Sequence, residues 1–104
     1  MPEDLYTKVS IPDLVACRGD YYMDLVVTTG IPMKMRTKQG VCRMFLKDGC
    51  YGIYMLVMDR VFEENYELLK ICSETGTPIT VLGSYGVTGR NVRLFPTEIR
   101  VGAT

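Results

Sequence analysis

The sequence predicts an all-β chain with one helix, folded as a single five-stranded Greek-key barrel. Three observations lead there. Segments rich in β-branched and alternating apolar residues recur between glycine-containing turns. One segment in their midst switches to the 3.6-residue period of an amphipathic helix. The resulting order is three strands, one helix and two strands, with a long, bent first strand shared by both halves of the barrel.

The first strand spans Asp24 to Lys38. It opens with Val26-Val27-Thr28-Thr29, reaches Gly30, and continues through Met33-Lys34-Met35-Arg36, where apolar and basic residues alternate. An isolated glycine inside such a pattern marks a bulge or a barrel corner, so the bend is expected at Gly30. Lys38-Gln39-Gly40 turns the chain into a second strand, Val41 to Leu46, and Lys47-Asp48-Gly49 with Gly52 leads to a third, Ile53 to Met58. The helix is predicted over Arg60 to Glu74 with Asp59 as its N-cap. Val61, Phe62, Asn65, Tyr66, Leu68, Leu69 and Cys72 share one face, and Phe62 and Leu69 should close the open end of the barrel. Pro78 precedes a fourth strand, Ile79 to Tyr85. The Gly86-Val87-Thr88-Gly89 loop leads to a fifth, from near Arg90 to Val101, interrupted at Pro96. Antiparallel pairing is expected throughout, and residues 1–20 read as a leader to one domain covering 1–104.

A length of 104 residues suits one hydrophobic core. With 47% apolar and 23% charged residues the composition is that of a globular chain, not a disordered one. The longest apolar run, Ile53 to Met58, is far shorter than the ~20 residues of a membrane-spanning helix. Met1-Pro2-Glu3-Asp4-Leu5 has neither the basic start nor the apolar stretch of a secretory signal, so a cytoplasmic location is the expectation. Cys17, Cys42, Cys50 and Cys72 form no Cys-x-x-Cys pair and the chain has no histidine, which argues against a zinc site. In a secreted protein these cysteines could form two disulfides in three pairings; in a cytoplasmic one they are reduced and mostly buried. The lack of histidine, of a dense carboxylate cluster and of a nucleophile motif argues against an enzyme, and no cofactor is expected.

Twelve basic and twelve acidic side chains cancel, so no global positive field draws the chain to nucleic acid. Their placement is uneven, however. Residues 33–60 carry six basic and two acidic groups, whereas residues 61–75, which hold most of the predicted helix, carry one basic and four acidic. Cations therefore gather on the strands.

Several segments together resemble a known group. Ser10-Ile11-Pro12-Asp13-Leu14, Val26 to Gly30, Arg36-Thr37-Lys38-Gln39-Gly40, Met44-Phe45-Leu46-Lys47-Asp48 and Val61-Phe62-Glu63-Glu64-Asn65-Tyr66 stand in an order and spacing similar to those of the anticodon-binding type of OB-fold module. The version carried by the α subunit of bacterial DNA polymerase III is especially similar. The resemblance implies an OB-fold that binds nucleic acid. Cys50-Tyr51, in the turn between the second and third strands, departs from the small polar residues usual there.

Single-strand binding needs cations for phosphates and flat rings for bases. If Cys42, Met44 and Leu46 point inward, alternation places Arg43 and Phe45 outward together. Lys34, Arg36 and Lys38 are expected on one side of the neighbouring strand, and alignment of Ile53, Met55 and Val57 with buried positions turns Tyr54 outward. Arg90 and Arg93 flank the last loop, where Tyr85 could stack. The candidate nucleic-acid-binding set is thus Lys34, Arg36, Lys38, Arg43, Phe45, Tyr54, Tyr85, Arg90 and Arg93. Two readings of Phe45 stay open, a core ring or a stacking platform, and a register shift of one residue would reverse Tyr54. An alternative function for the same barrel is assembly with a partner protein.

Other features carry less. Gly83, Gly86 and Gly89 lack the Gly-Lys-Ser or Gly-Lys-Thr of a phosphate loop and read as a flexible hairpin. Arg18-Gly19-Asp20 is a tripeptide short enough to arise by chance. Met23, Met33, Met35, Met44, Met55 and Met58 read as core filler.

Overall fold

The long first strand forms, but two elements precede it that the sequence did not reveal. The computed structural model describes residues 5–16, 24–88 and 91–102. In chain order its elements are β1 (Thr7–Lys8), α1 (Ile11–Ala16), β2 (Leu25–Lys38), β3 (Val41–Asp48), β4 (Tyr51–Met58), α2 (Asp59–Thr75), β5 (Ile79–Thr88) and β6 (Asn91–Val101). The predicted strands and helix are all present, with β3, β4 and β5 two or three residues longer at one end than expected. No helix among the described residues is long and apolar enough to cross a membrane.

β2 serves both halves of the barrel. Its first part, Leu25 to Gly30, pairs antiparallel with β5, and from Ile31 onward it pairs with β3. Continuing β3–β4 and β5–β6 pairings leave β4 and β6 to close the ring, which they do in parallel through Tyr54↔Arg93 and Met55↔Leu94. This corrects the antiparallel expectation, and the reason is topological. Strand direction reverses at each antiparallel step, so a closed ring of five strands must contain a parallel pair. A second parallel pairing joins β1 to β2 at Thr7↔Val26 and Lys8↔Val27.

Alternation fills the barrel. Val26, Cys42, Met44, Leu46, Ile53, Met55, Val57, Ile79, Val81 and Leu94 point inward and are buried. Among the methionines, Met44 and Met55 are the core fillers expected, Met33 and Met35 are half-buried, and Met58 is exposed at the end of β4; Met23 lies outside the described residues.

The hand-over at Gly30 needs a glycine for space. A Cβ there would stand 2.6 Å from Ile11 Cδ1 and 2.9 Å from both Leu46 Cγ and the Lys47 carbonyl oxygen. Ile11 and Leu14 of α1 are fully buried, so this short helix stops the barrel end beside Gly30. Of residues 5–16, Val9, Ile11 and Leu14 belong to the hydrophobic core. The register shift in β2 falls further along, between Met33 and Arg36.

α2 packs against β2, β3, β4 and β6 with Leu69 and Cys72 buried and Val61, Phe62 and Leu68 partly so. Asp59 is not its cap. Met58 holds the N-cap position without a side-chain hydrogen bond, and Asp59 follows with φ 52. At the other end Gly76 takes the left-handed conformation suited to a C-cap, its N–H reaching the Cys72 carbonyl. Pro96 does not interrupt β6. It pairs with Gly83, and the irregularity comes one step later, where Leu82 faces Glu98. Cys42, Cys50 and Cys72 are free thiols. Cys17 and the Arg18-Gly19-Asp20 tripeptide lie outside the described residues.

Candidate nucleic-acid interface

Because Cys42, Met44 and Leu46 face inward, Arg43, Phe45 and Lys47 stand in a row on the outer face of β3. On β4 the inward set Ile53, Met55 and Val57 leaves Gly52, Tyr54 and Leu56 outward. The registers Phe45↔Tyr54 and Arg43↔Leu56 bring the two rows side by side. Parallel pairing of β4 with β6 then places Arg93 next to Tyr54.

The contribution of β2 depends on a bulge. Pro32 is buried opposite Leu46, so strict alternation would turn Lys34 and Arg36 inward. Met33 instead pairs with Phe45 and Arg36 with Arg43, leaving one extra residue on β2. Lys34 takes φ 54 within this bulge. Such a backbone costs a non-glycine residue about 1–3 kcal/mol. The result is that Lys34 and Arg36 both reach the outer face.

These residues enclose an open groove of about 520 Å³ whose walls include Lys34, Arg36, Arg43, Phe45, Tyr54, Leu56 and Arg93. Four of its side chains are cationic and none is a carboxylate. Among the described residues, no ion pair engages any of the four. At its centre the Phe45 and Tyr54 rings meet edge to face, with centroids 5.3 Å apart and planes at 72°. Lys34 Nζ lies over the Phe45 ring, 5.9 Å from its centroid, within range of a cation–π attraction. Tyr54 is 57% exposed, while Phe45 is half-buried.

The structure thus brings together Lys34, Arg36, Arg43, Phe45, Tyr54 and Arg93. Lys38 is exposed at the far end of β2, opposite Val41, and is not part of the groove wall. Tyr85 is a correction. It is only 1% exposed, pairs with Leu94 on the inner face, and donates its hydroxyl to the Leu14 carbonyl at 3.3 Å, so its ring is unavailable to a base. Arg90 lies outside the described residues.

Sequence reasoning missed two residues. Gly52 was read only as part of a turn, yet a Cβ there would collide with Cε2 and Cζ of Phe45 and stand 2.9 Å from its Cδ2. Leu56 supplies apolar wall beside Tyr54, and it follows from the same alternation that turned Tyr54 outward. Beneath the groove, burial pushes the Cys42 thiol above its ordinary pKa, offset in part by a backbone hydrogen bond at Arg36. That thiol belongs to the inner face and takes no part in the groove.

No protein-family model matches the chain, and no curated protein matches it. Solved structures do. A chain assigned as an aspartyl-tRNA synthetase in Leishmania major superposes on 92% of this chain with a TM-score of 0.71 at 15% identity. Aspartyl-tRNA synthetase from Entamoeba histolytica also covers 92%, with a TM-score of 0.68 at 19% identity. The Stn1–Ten1 complex of S. pombe covers 77%, with a TM-score of 0.55 at 9% identity. The fold is an OB-fold. At these identities the likeness concerns architecture, and this chain spans 20% and 21% of the two synthetase chains and 59% of the Stn1–Ten1 chain.

Proposed function

We propose that this OB-fold binds single-stranded nucleic acid, DNA or RNA, along the outer face of β2, β3, β4 and β6, as a non-catalytic cytoplasmic module for replication, repair or RNA processing. The observation that carries the proposal is the composition of the groove: four cations without a carboxylate, set around an exposed tyrosine. Clustered like charges repel one another, and a polyanion relieves that repulsion while releasing its own counterions. Tyr54 and Leu56 offer the unpaired bases an apolar surface that a duplex, with its bases stacked inside, would not use. The resemblance to OB-fold modules of the anticodon-binding type supports a nucleic-acid ligand, and two of the structural neighbours are named for a transfer RNA.

A second reading has its own support. The net charge is zero, and one neighbour is part of a two-protein complex, as a partner-assembling OB domain would be. Fluorescence anisotropy of a short unstructured oligonucleotide at two salt concentrations separates the readings. Saturable binding that weakens with salt supports the nucleic-acid function. Absence of binding at low salt refutes it in favour of the partner reading.

A further inference from the structure

The two rings of the groove are not equivalent. Phe45 is hemmed in: one ring edge occupies the space a side chain at position 52 would fill, the Lys34 ammonium lies over the ring, and Tyr54 meets it at 72°. Tyr54 has more than half its surface in solvent and is flanked by Leu56 on its own strand and by Arg93 across the β4–β6 pairing. Among the described residues no third ring lines the groove.

We propose that Tyr54 alone is the stacking surface for a base, and that Phe45 and Gly52 are positioning residues that hold the Tyr54 ring. The proposal rests on the nucleic-acid reading and divides the labour within it. Gly52 leaves its Cβ space empty, so Phe45 can lie over the backbone of β4. Phe45 then fixes the tilt of Tyr54 through the edge-to-face contact, a geometry aromatic pairs favour. The Lys34 charge is drawn to the Phe45 ring, which places it beside a base on Tyr54 and ready for the adjoining phosphate. One stacking ring implies one stacked nucleotide per barrel, with neighbouring nucleotides held by their phosphates.

The test uses the full chain and a short oligonucleotide carrying one 2-aminopurine, whose fluorescence is quenched on stacking. Tyr54→Ala should lower affinity about 5- to 150-fold and abolish the quench, while Tyr54→Phe and Tyr54→Trp keep both. Phe45→Leu should weaken quench and affinity only while Tyr54 is present, so that the double variant binds no worse than Tyr54→Ala alone. Phe45→Met serves the same purpose if the leucine variant does not fold, with circular dichroism as the check. Gly52→Ala, which displaces Phe45, should match the Phe45 variants. Two results overturn the division while leaving the nucleic-acid reading intact: Tyr54→Ala binding as well as wild type, or additive losses from Phe45 and Tyr54. No oligonucleotide binding by the wild-type protein sinks both.

Discussion

Removing one groove cation should change how binding responds to salt more tellingly than it changes affinity. Lys34, Arg36, Arg43 and Arg93 are the four candidates for phosphate contact, and none is engaged by a carboxylate among the described residues. Each contact to a single strand contributes about 0.7 to the slope of log affinity against log salt, so four predict a slope of about −2.8 and about a 50-fold loss between ~50 and ~200 mM. Replacing Arg36 or Arg43 by glutamine should reduce the slope to about −2.1 and the loss to about 20-fold. Tyr54→Ala should instead lower affinity at every salt concentration with the slope unchanged, because stacking displaces no counterions. Lys70→Gln, on the exposed face of α2, is the control and should alter neither. The assay is anisotropy at four or more salt concentrations for each variant. A slope that Arg36→Gln and Arg43→Gln leave untouched would show that phosphates bind elsewhere, and the groove would lose its role.

Three further outcomes test the fold around the groove. Leu69→Ala, at a fully buried position of α2, should cost about 2–5 kcal/mol in urea unfolding, and a loss below about 1 kcal/mol would place that face of the helix outside the core. Tyr85→Phe removes the hydroxyl that anchors α1 and should cost about 0.5–1.5 kcal/mol while leaving oligonucleotide affinity unchanged; a selective loss of binding would restore Tyr85 to the site. In the folded protein a thiol reagent should modify Cys50 quickly and Cys42 and Cys72 only on unfolding. Burial raises the pKa of both buried thiols, so the folded state keeps these protons longer than the unfolded chain. Their contribution to stability is therefore complete below the ordinary thiol pKa and is lost as pH rises from there through the folded values, and alkaline thermal melts should show this decline.

β3 and β4 were legible because each buries one face and leaves the other more exposed, which writes a two-residue period into the sequence. The same period revealed Arg43, Phe45 and Tyr54. β1 and α1 were not legible: a two-residue strand has no period, and a six-residue helix burying only Ile11 and Leu14 shows less than two turns of one. The Tyr85 error had a remedy in the sequence. Continuing the alternation of Ile79 and Val81 puts Tyr85 inside, but a strand ending at Tyr85 with the Gly86-Val87-Thr88-Gly89 loop after it set the ring at the loop, whereas β5 runs on to Thr88. The bulge at Lys34 had no such signal. The glycine that looked like a bulge, Gly30, is required by the close packing of Ile11 and Leu46, while the extra residue sits among lysine and methionine, neither of which marks a left-handed backbone.

That bulge also explains how a chain with no net charge can present a basic groove. Asp59, Glu63, Glu64, Glu67 and Glu74 are all on α2, which begins where β4 ends. Along β4, Asp59 is five residues from Tyr54, about 17 Å at the usual strand rise. This is twice the Debye length of ~8 Å at physiological ionic strength, so Asp59 is largely screened from a ligand at Tyr54. The bulge keeps Lys34 and Arg36 on the groove side of the same barrel, against Arg43 and across from Arg93. A phosphate at the groove therefore meets the four nearby cations, and the neutrality of the whole chain bears on solubility and long-range approach rather than on the contact itself.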